Sequence, residues 1–92
     1  MTPTRLERLT ERLRALEPEE LHVVDDSHRH AGHAGAADGR GHFTVLLVSK
    51  RFAGLSTLRR HRLVYEVVGD MMTTDVHALS IQAIAPGEAR SS

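Results

Sequence analysis

One apolar run constrains this chain more than any other feature: Val45-Leu46-Leu47-Val48, lying inside Phe43 to Ser49. Four consecutive aliphatic residues of strand length read as a β-strand, and Phe43 to Ser49 is the clearest strand in the sequence. Ninety-two residues allow one domain with a modest core. Only two Phe and one Tyr are available, so aliphatic side chains must do most of the packing. Phe52, in the turn Ser49 to Gly54 that follows the strand, is the expected aromatic anchor.

The other elements are arranged around this strand. Pro3 suits the first turn of a helix, where its missing N–H costs nothing, with Thr2 as a possible cap. Thr4 and Glu7 have capping-box spacing, so either start is open. Leu6, Leu9, Leu13 and Leu16 recur at helical spacing, and the helix should stop near Glu17, before Pro18. Leu21 to Asp25 reads as a first strand. Residues 28–41, rich in Gly, Ala and His and without periodicity, read as a mobile loop. Ser56 can cap a second helix with an apolar stripe of Leu58, His61, Val64, Tyr65, Val68, Met71 and Met72. Val76 to Ile84 reads as a third strand, with His77, Leu79 and Ile81 on one face and Ala78, Ser80 and Gln82 on the other. Residues 86–92 read as a frayed tail. The order α-β-β-α-β predicts a single α+β domain over residues 1–85, a two-layer sandwich with a three-stranded sheet. The third strand follows a helical crossover, so it can run parallel to a neighbour and make the sheet mixed.

Charge and composition exclude several classes. The formal net charge is zero, unlike a protein whose main task is coating nucleic acid. With no cysteine there is no disulfide, no thiolate nucleophile and no self-sufficient iron–sulfur site. No apolar run approaches membrane-spanning length and the first residues carry no apolar signal core, so the expectation is a soluble cytoplasmic protein. Catalysis is not expected. Ser27 beside His28 and Ser80 near His77 lack a strand-turn-helix elbow or a third orienting group, and Asp25 and Asp26 point to opposite faces of a strand.

The seven histidines are the main candidates for chemistry. His28, His30, His33 and His42 lie in or beside the long loop, His77 begins the third strand, His61 sits on the second helix and His22 in the first strand. Two imidazoles are too few to close a tetrahedral metal site. In Rieske-type clusters, however, two histidines hold one iron while thiolates hold the other. A cysteine-free chain could therefore supply half of such a site and a thiol-bearing partner the rest. A histidine at a strand start can equally serve packing and backbone hydrogen bonding. His28 and His42 read best as solvated loop residues, His61 as a partly buried structural residue, and Met71 and Met72 as core. Lys50, Arg51, Arg59, Arg60 and Arg62 gather around the start of the second helix, either as an anion or partner site or as a solvated face.

Longer motifs carry a family resemblance. Phe52-Ala53-Gly54-Leu55-Ser56, Arg60-His61-Arg62-Leu63-Val64-Tyr65-Glu66, Val76-His77-Ala78-Leu79-Ser80 and the upstream Asp26-Ser27-His28-Arg29-His30-Ala31-Gly32-His33 occur in order, and from about Leu6 to Ile84 the chain resembles the BolA family. The resemblance implies a fold similar to the type II KH domain. It also implies pairing with a monothiol glutaredoxin across a shared, labile [2Fe–2S] cluster, with glutathione giving a second thiolate. No cluster is then expected on the isolated protein, which should be a monomer. In that scheme His77 is one ligand and a histidine of the long loop the other, His30 matching first and His33 second. Arg60 and Arg62 match an Arg-His-Arg motif of the family. Some BolA-like proteins are described as transcriptional regulators, so nucleic-acid binding is the alternative. Against it, the only GxxG, Gly32-His33-Ala34-Gly35, lies in the strand–strand loop, whereas KH domains grip nucleic acid with a GxxG between helices.

Overall fold

The structure, a computed structural model, describes residues 2–27 and 41–88. Helix α1 spans Arg5–Leu13, and Thr4 rather than Thr2 is its cap. The Thr4 hydroxyl accepts the Glu7 N–H at 3.0 Å while the Glu7 carboxylate accepts the Thr4 N–H at 2.9 Å, satisfying two orphan donors reciprocally. The chain tightens into a 3₁₀ turn at Arg14–Leu16 and reverses at Glu17, which adopts the left-handed conformation with φ 53°. Strand β1 (Glu20–Asp25) then pairs antiparallel with β2 (Gly41–Val48), bringing Leu21 opposite Leu47 and Val23 opposite Val45.

A 3₁₀ turn at Lys50–Phe52 leads from β2 towards helix α2 (Thr57–Val68), capped by Ser56. Gly69, at φ 58°, ends α2 by adopting a backbone angle open mainly to glycine. The expected second helix is thus broken, and Met71–Thr74 form a separate short helix, α3. Strand β3 (Val76–Ile84) returns parallel to β2, giving the order β1-β2-β3 with the aliphatic strand in the middle. This is the mixed three-stranded α+β sheet that the sequence predicts.

The core lies on one side of the sheet. Leu9, Leu13 and Leu16 from the first helical segment meet Phe43, Val45 and Leu47 of β2 and Val64 and Val68 of α2, with Phe52 and Met71 filling the ends. Each such side chain contributes about 1.5–3 kcal/mol by leaving water. The buried face of α2 differs from the expected stripe: Leu58 and Tyr65 are 61% and 40% exposed, while Leu63 and Val67 join Val64 and Val68 against the core. Two adjacent aliphatic pairs, Leu63-Val64 and Val67-Val68, outweigh a stripe that needs an aromatic and a histidine, so the helix is rotated from the expected orientation. Ser49 is a fully buried polar residue whose hydroxyl donates to the Leu16 carbonyl at 2.6 Å and accepts the Arg51 N–H at 3.2 Å.

Residues Pro86 to Glu88, expected to belong to a frayed tail, are tied to the fold instead. The Glu88 carboxylate takes both Arg60 Nη groups, at 2.6 and 2.8 Å, and the Ala85 N–H at 2.9 Å. These bonds, Arg60 foremost, lower the Glu88 pKa to about 2. A depressed carboxylate binds fewer protons folded than unfolded, so its stabilisation is complete above its ordinary pKa and is lost as pH falls towards 2. Glu88→Gln should therefore flatten the fall in melting temperature between about pH 4.5 and 2, measured by circular dichroism.

Candidate functional site

The starts of β2 and β3 lie side by side and carry His42 and His77. Their register is interrupted there: Gly41 pairs with Val76 but His42 pairs with Ala78, so β3 spends one extra residue. Such a bulge bends a strand and re-aims a side chain. Strict alternation back from Leu79 and Ile81 would give His77 their core-facing side. That was the expected arrangement, and the bulge corrects it. Val76 is fully buried, His77 is exposed, and the His77 ring sits 5.1 Å from the His42 ring, tilted by 49°.

His42 is accordingly no solvated loop residue. It is half-buried in β2, with its Nε2 shielded from solvent. It alternates with Phe43, Val45 and Leu47, so it lies on the side of the sheet away from the helices. Its backbone is clamped by the residues just after β1: the Ser27 hydroxyl accepts the His42 N–H at 3.1 Å and the His42 carbonyl accepts the Asp26 N–H at 2.8 Å. Asp25 braces this corner by accepting the Ser27 N–H at 2.9 Å, and the Thr44 hydroxyl donates to the Asp26 carboxylate. Gly41 leads into the pair from a crowded position. A Cβ there would stand 2.7 Å from both the Phe43 ring and the Ser27 hydroxyl.

Asp75 closes the other side. Its carbonyl accepts the Gly41 N–H at 2.9 Å. Its carboxylate receives a two-pronged Arg8 guanidinium at 2.8 and 3.0 Å, Arg5 Nε at 3.4 Å and the Thr74 hydroxyl at 2.9 Å. Arg8 foremost holds this carboxyl far below the usual carboxylate range.

Of the expected ligands, His77 is at the open end of the sheet, whereas His30 and His33 lie outside the described residues. The expected cation group divides. Arg60 departs from its partner-binding expectation because its guanidinium is filled internally: beyond Glu88, it donates to the Leu55 carbonyl at 2.9 Å and the Ala83 carbonyl at 3.1 Å. Arg51 pairs with Glu17 at 2.5 Å, and with Lys50 it lines a cavity of about 320 Å³ that also includes Glu17, Glu19 and Ser49. Arg59 and Arg62 remain exposed on α2. Met71 is core and Met72 packs against it, as expected.

Sequence reasoning missed the His42 contact, although the Gly-His-Phe step into an alternating strand marks His42 as facing away from the core. It also missed Asp75, whose signal is a carboxylate two residues before His77 and two arginines three residues apart on α1. Among the described residues, no three His, Asp or Glu side chains gather as a metal-holding group, so the pair offers donors without enclosing an ion.

A small mixed sheet covered by helices on one side, with an imidazole pair at the opening of its two parallel strands, defines the class of α+β domain to which this chain belongs. Residues 13–88 match the family described as BolA-like protein, and the chain belongs to that family. It is 45% identical to Protein BOLA1, chloroplastic, of Arabidopsis thaliana over 95% of this chain and 57% of that protein. It is 46% identical to the DNA-binding transcriptional regulator BolA of Escherichia coli (strain K12) over 82% of this chain and 70% of that protein. Among solved structures, the BolA domain of SufE1 from Arabidopsis thaliana superposes with a TM-score of 0.82 at 40% identity, covering 97% of this chain and 100% of that domain. The chain thus spans a little over half of the plant relative, and among its described residues no helix is long and apolar enough to cross a membrane.

Proposed function

We propose that this protein is a non-enzymatic accessory of iron–sulfur metabolism that binds a monothiol glutaredoxin and shares a labile [2Fe–2S] cluster with it. The observation that carries this reading is the His42–His77 contact, 5.1 Å between ring centres at an open sheet end. The donor set fits half a cluster. Imidazoles are available and thiolates are not, because the chain has no cysteine, so the thiolates come from the glutaredoxin and glutathione. His77 is one ligand. The second is an imidazole from His30 or His33, whose segment leads directly into Gly41 and His42, and His42 joins them as a third candidate because the fold brings it to His77. When bound, the cluster would supply one-electron chemistry and transferable iron and sulfide. The chain's own part is to present neutral imidazoles in a fixed direction, with ligation completed only by the partner. Half a site holds the cluster weakly alone, which suits transfer or sensing.

The test is a titration of cluster-loaded monothiol glutaredoxin with this protein, followed by visible circular dichroism. The expected result is a changed spectrum that saturates at one-to-one stoichiometry and disappears with His77→Ala. Alanine variants of His30, His33 and His42 then identify the second ligand. No change with the wild type sinks the reading.

A second reading rests on the Escherichia coli relative, named as a DNA-binding transcriptional regulator, and on the exposed Arg59 and Arg62. It would be favoured instead by DNA retention that falls steeply with salt, is lost with Arg59→Ala and Arg62→Ala, and is indifferent to His77→Ala.

A further inference from the structure

We infer that Asp75 is a positioning residue for the His42–His77 pair, and that through Arg8 it couples helix α1 to that pair. The inference deepens the cluster-sharing reading and rests on it for its functional meaning.

His77 occupies the extra position in β3, where a bulge re-aims a side chain. The chain just before it contributes to that direction. That chain is Asp75-Val76. Val76 is anchored by full burial. Asp75 is anchored from three elements: its N–H donates to the Met71 carbonyl at 2.8 Å, its carboxylate takes Arg5 and Arg8 from α1, and its carbonyl takes the Gly41 N–H from β2. Asp75 stands two residues before His77 and bonds the residue before His42, so one residue touches the entry to both histidine-bearing strands.

A comparison within the fold separates this role from ordinary cross-linking. Arg12 also ties α1 to a distant carboxylate, Asp70, at 2.9 Å. Asp70 is 82% exposed, whereas the Asp75 side chain is 14% exposed and shielded among its partners. A planar guanidinium meeting a carboxylate at two points fixes orientation as well as distance, which a lysine cannot reproduce. Removing a group that orients a metal-binding histidine typically weakens metal binding about 10–100-fold while leaving the ligand in place.

The experiment uses the full chain, ¹⁵N-labelled and metal-free, at a fixed pH of about 8, where imidazole is neutral. Histidine ring resonances are recorded for the wild type, Asp75→Asn, Arg8→Lys and Arg12→Ala. Each protein is then mixed with [2Fe–2S]-loaded monothiol glutaredoxin and the decay of the shared-cluster dichroism is timed. The expected result is displaced His42 and His77 ring resonances in Asp75→Asn and Arg8→Lys, with at least about a 10-fold faster decay, and neither change in Arg12→Ala. Arg8→Lys keeps the charge and breaks only the two-point contact, so it also serves if Asp75→Asn does not fold. Unchanged His42 and His77 resonances in the folded variants overturn the inference. Absence of any shared-cluster signal with the wild type overturns the proposed function instead, and the metal-free ring resonances alone then decide the role of Asp75.

Discussion

Phe43→Ala should lower the stability of this domain by about 3–5 kcal/mol, the usual cost of removing a buried phenylalanine. Phe43 is almost fully buried in the central strand, paired with Asp25 on one side and Leu79 on the other. Few aromatic rings are available to fill the space: the chain has two Phe and one Tyr, and Tyr65 faces outward. A domain of this size loses roughly 4–8 °C of melting temperature per kcal/mol, so the fall should be about 12 °C or more. Urea unfolding followed by far-ultraviolet circular dichroism measures it directly. A midpoint unchanged from the wild type would remove Phe43 from the core.

Gly41→Ala should cost about 1–3 kcal/mol, a large effect for one added methyl group. The new Cβ would meet the Phe43 ring at 2.7 Å and the Ser27 hydroxyl at 2.7 Å. Neither neighbour yields cheaply. The ring is fixed in the core, and moving the hydroxyl weakens its acceptance of the His42 N–H. Because the two substitutions act on the same contact, their costs should not add. Phe43→Ala empties the space that the Gly41→Ala methyl needs, so the double variant should lose less stability than the sum of the singles. Strict additivity in a denaturant series would show that Ser27 alone, not the ring, sets the penalty at Gly41.

The framework was legible because it depends on local signals. The aliphatic run Val45 to Val48 marks the central strand, the Thr4 and Glu7 spacing marks a helix start, and the boundaries of β3 coincide with the predicted Val76 to Ile84. The rotation of α2 was not legible, since Leu58 and Tyr65 have helical spacing as good as that of Leu63 and Val67, and only the position of the sheet decides between them. The site was half legible. His77 stood out, but the bulge that turns it towards His42 is a register event between two strands, and single-strand alternation gives no sign of it. The internal use of Arg60 was hidden for a similar reason: Glu88 lies 28 positions away, in a segment whose composition suggested only a loose end.

The parallel pairing of β2 with β3 has a consequence for how this protein emerges from a ribosome. The central strand is complete by Val48, yet its second neighbour begins only at Val76. Until Ile84 has been synthesised, one whole side of β2 has no hydrogen-bonding partner and the aliphatic face shared with Leu79 and Ile81 stays open to water. The ties between Arg8 and Asp75 and between Arg60 and Glu88 also wait for residues 75 and 88. Non-local pairing of this kind must accept the entropy of loop closure before any contact rewards it. Helix α1 and the β1–β2 pair can form before β3 has emerged, but the sheet is complete only once β3 joins it. Until β3 pairs, the open edge of β2 is a strand edge available for mispairing with another chain.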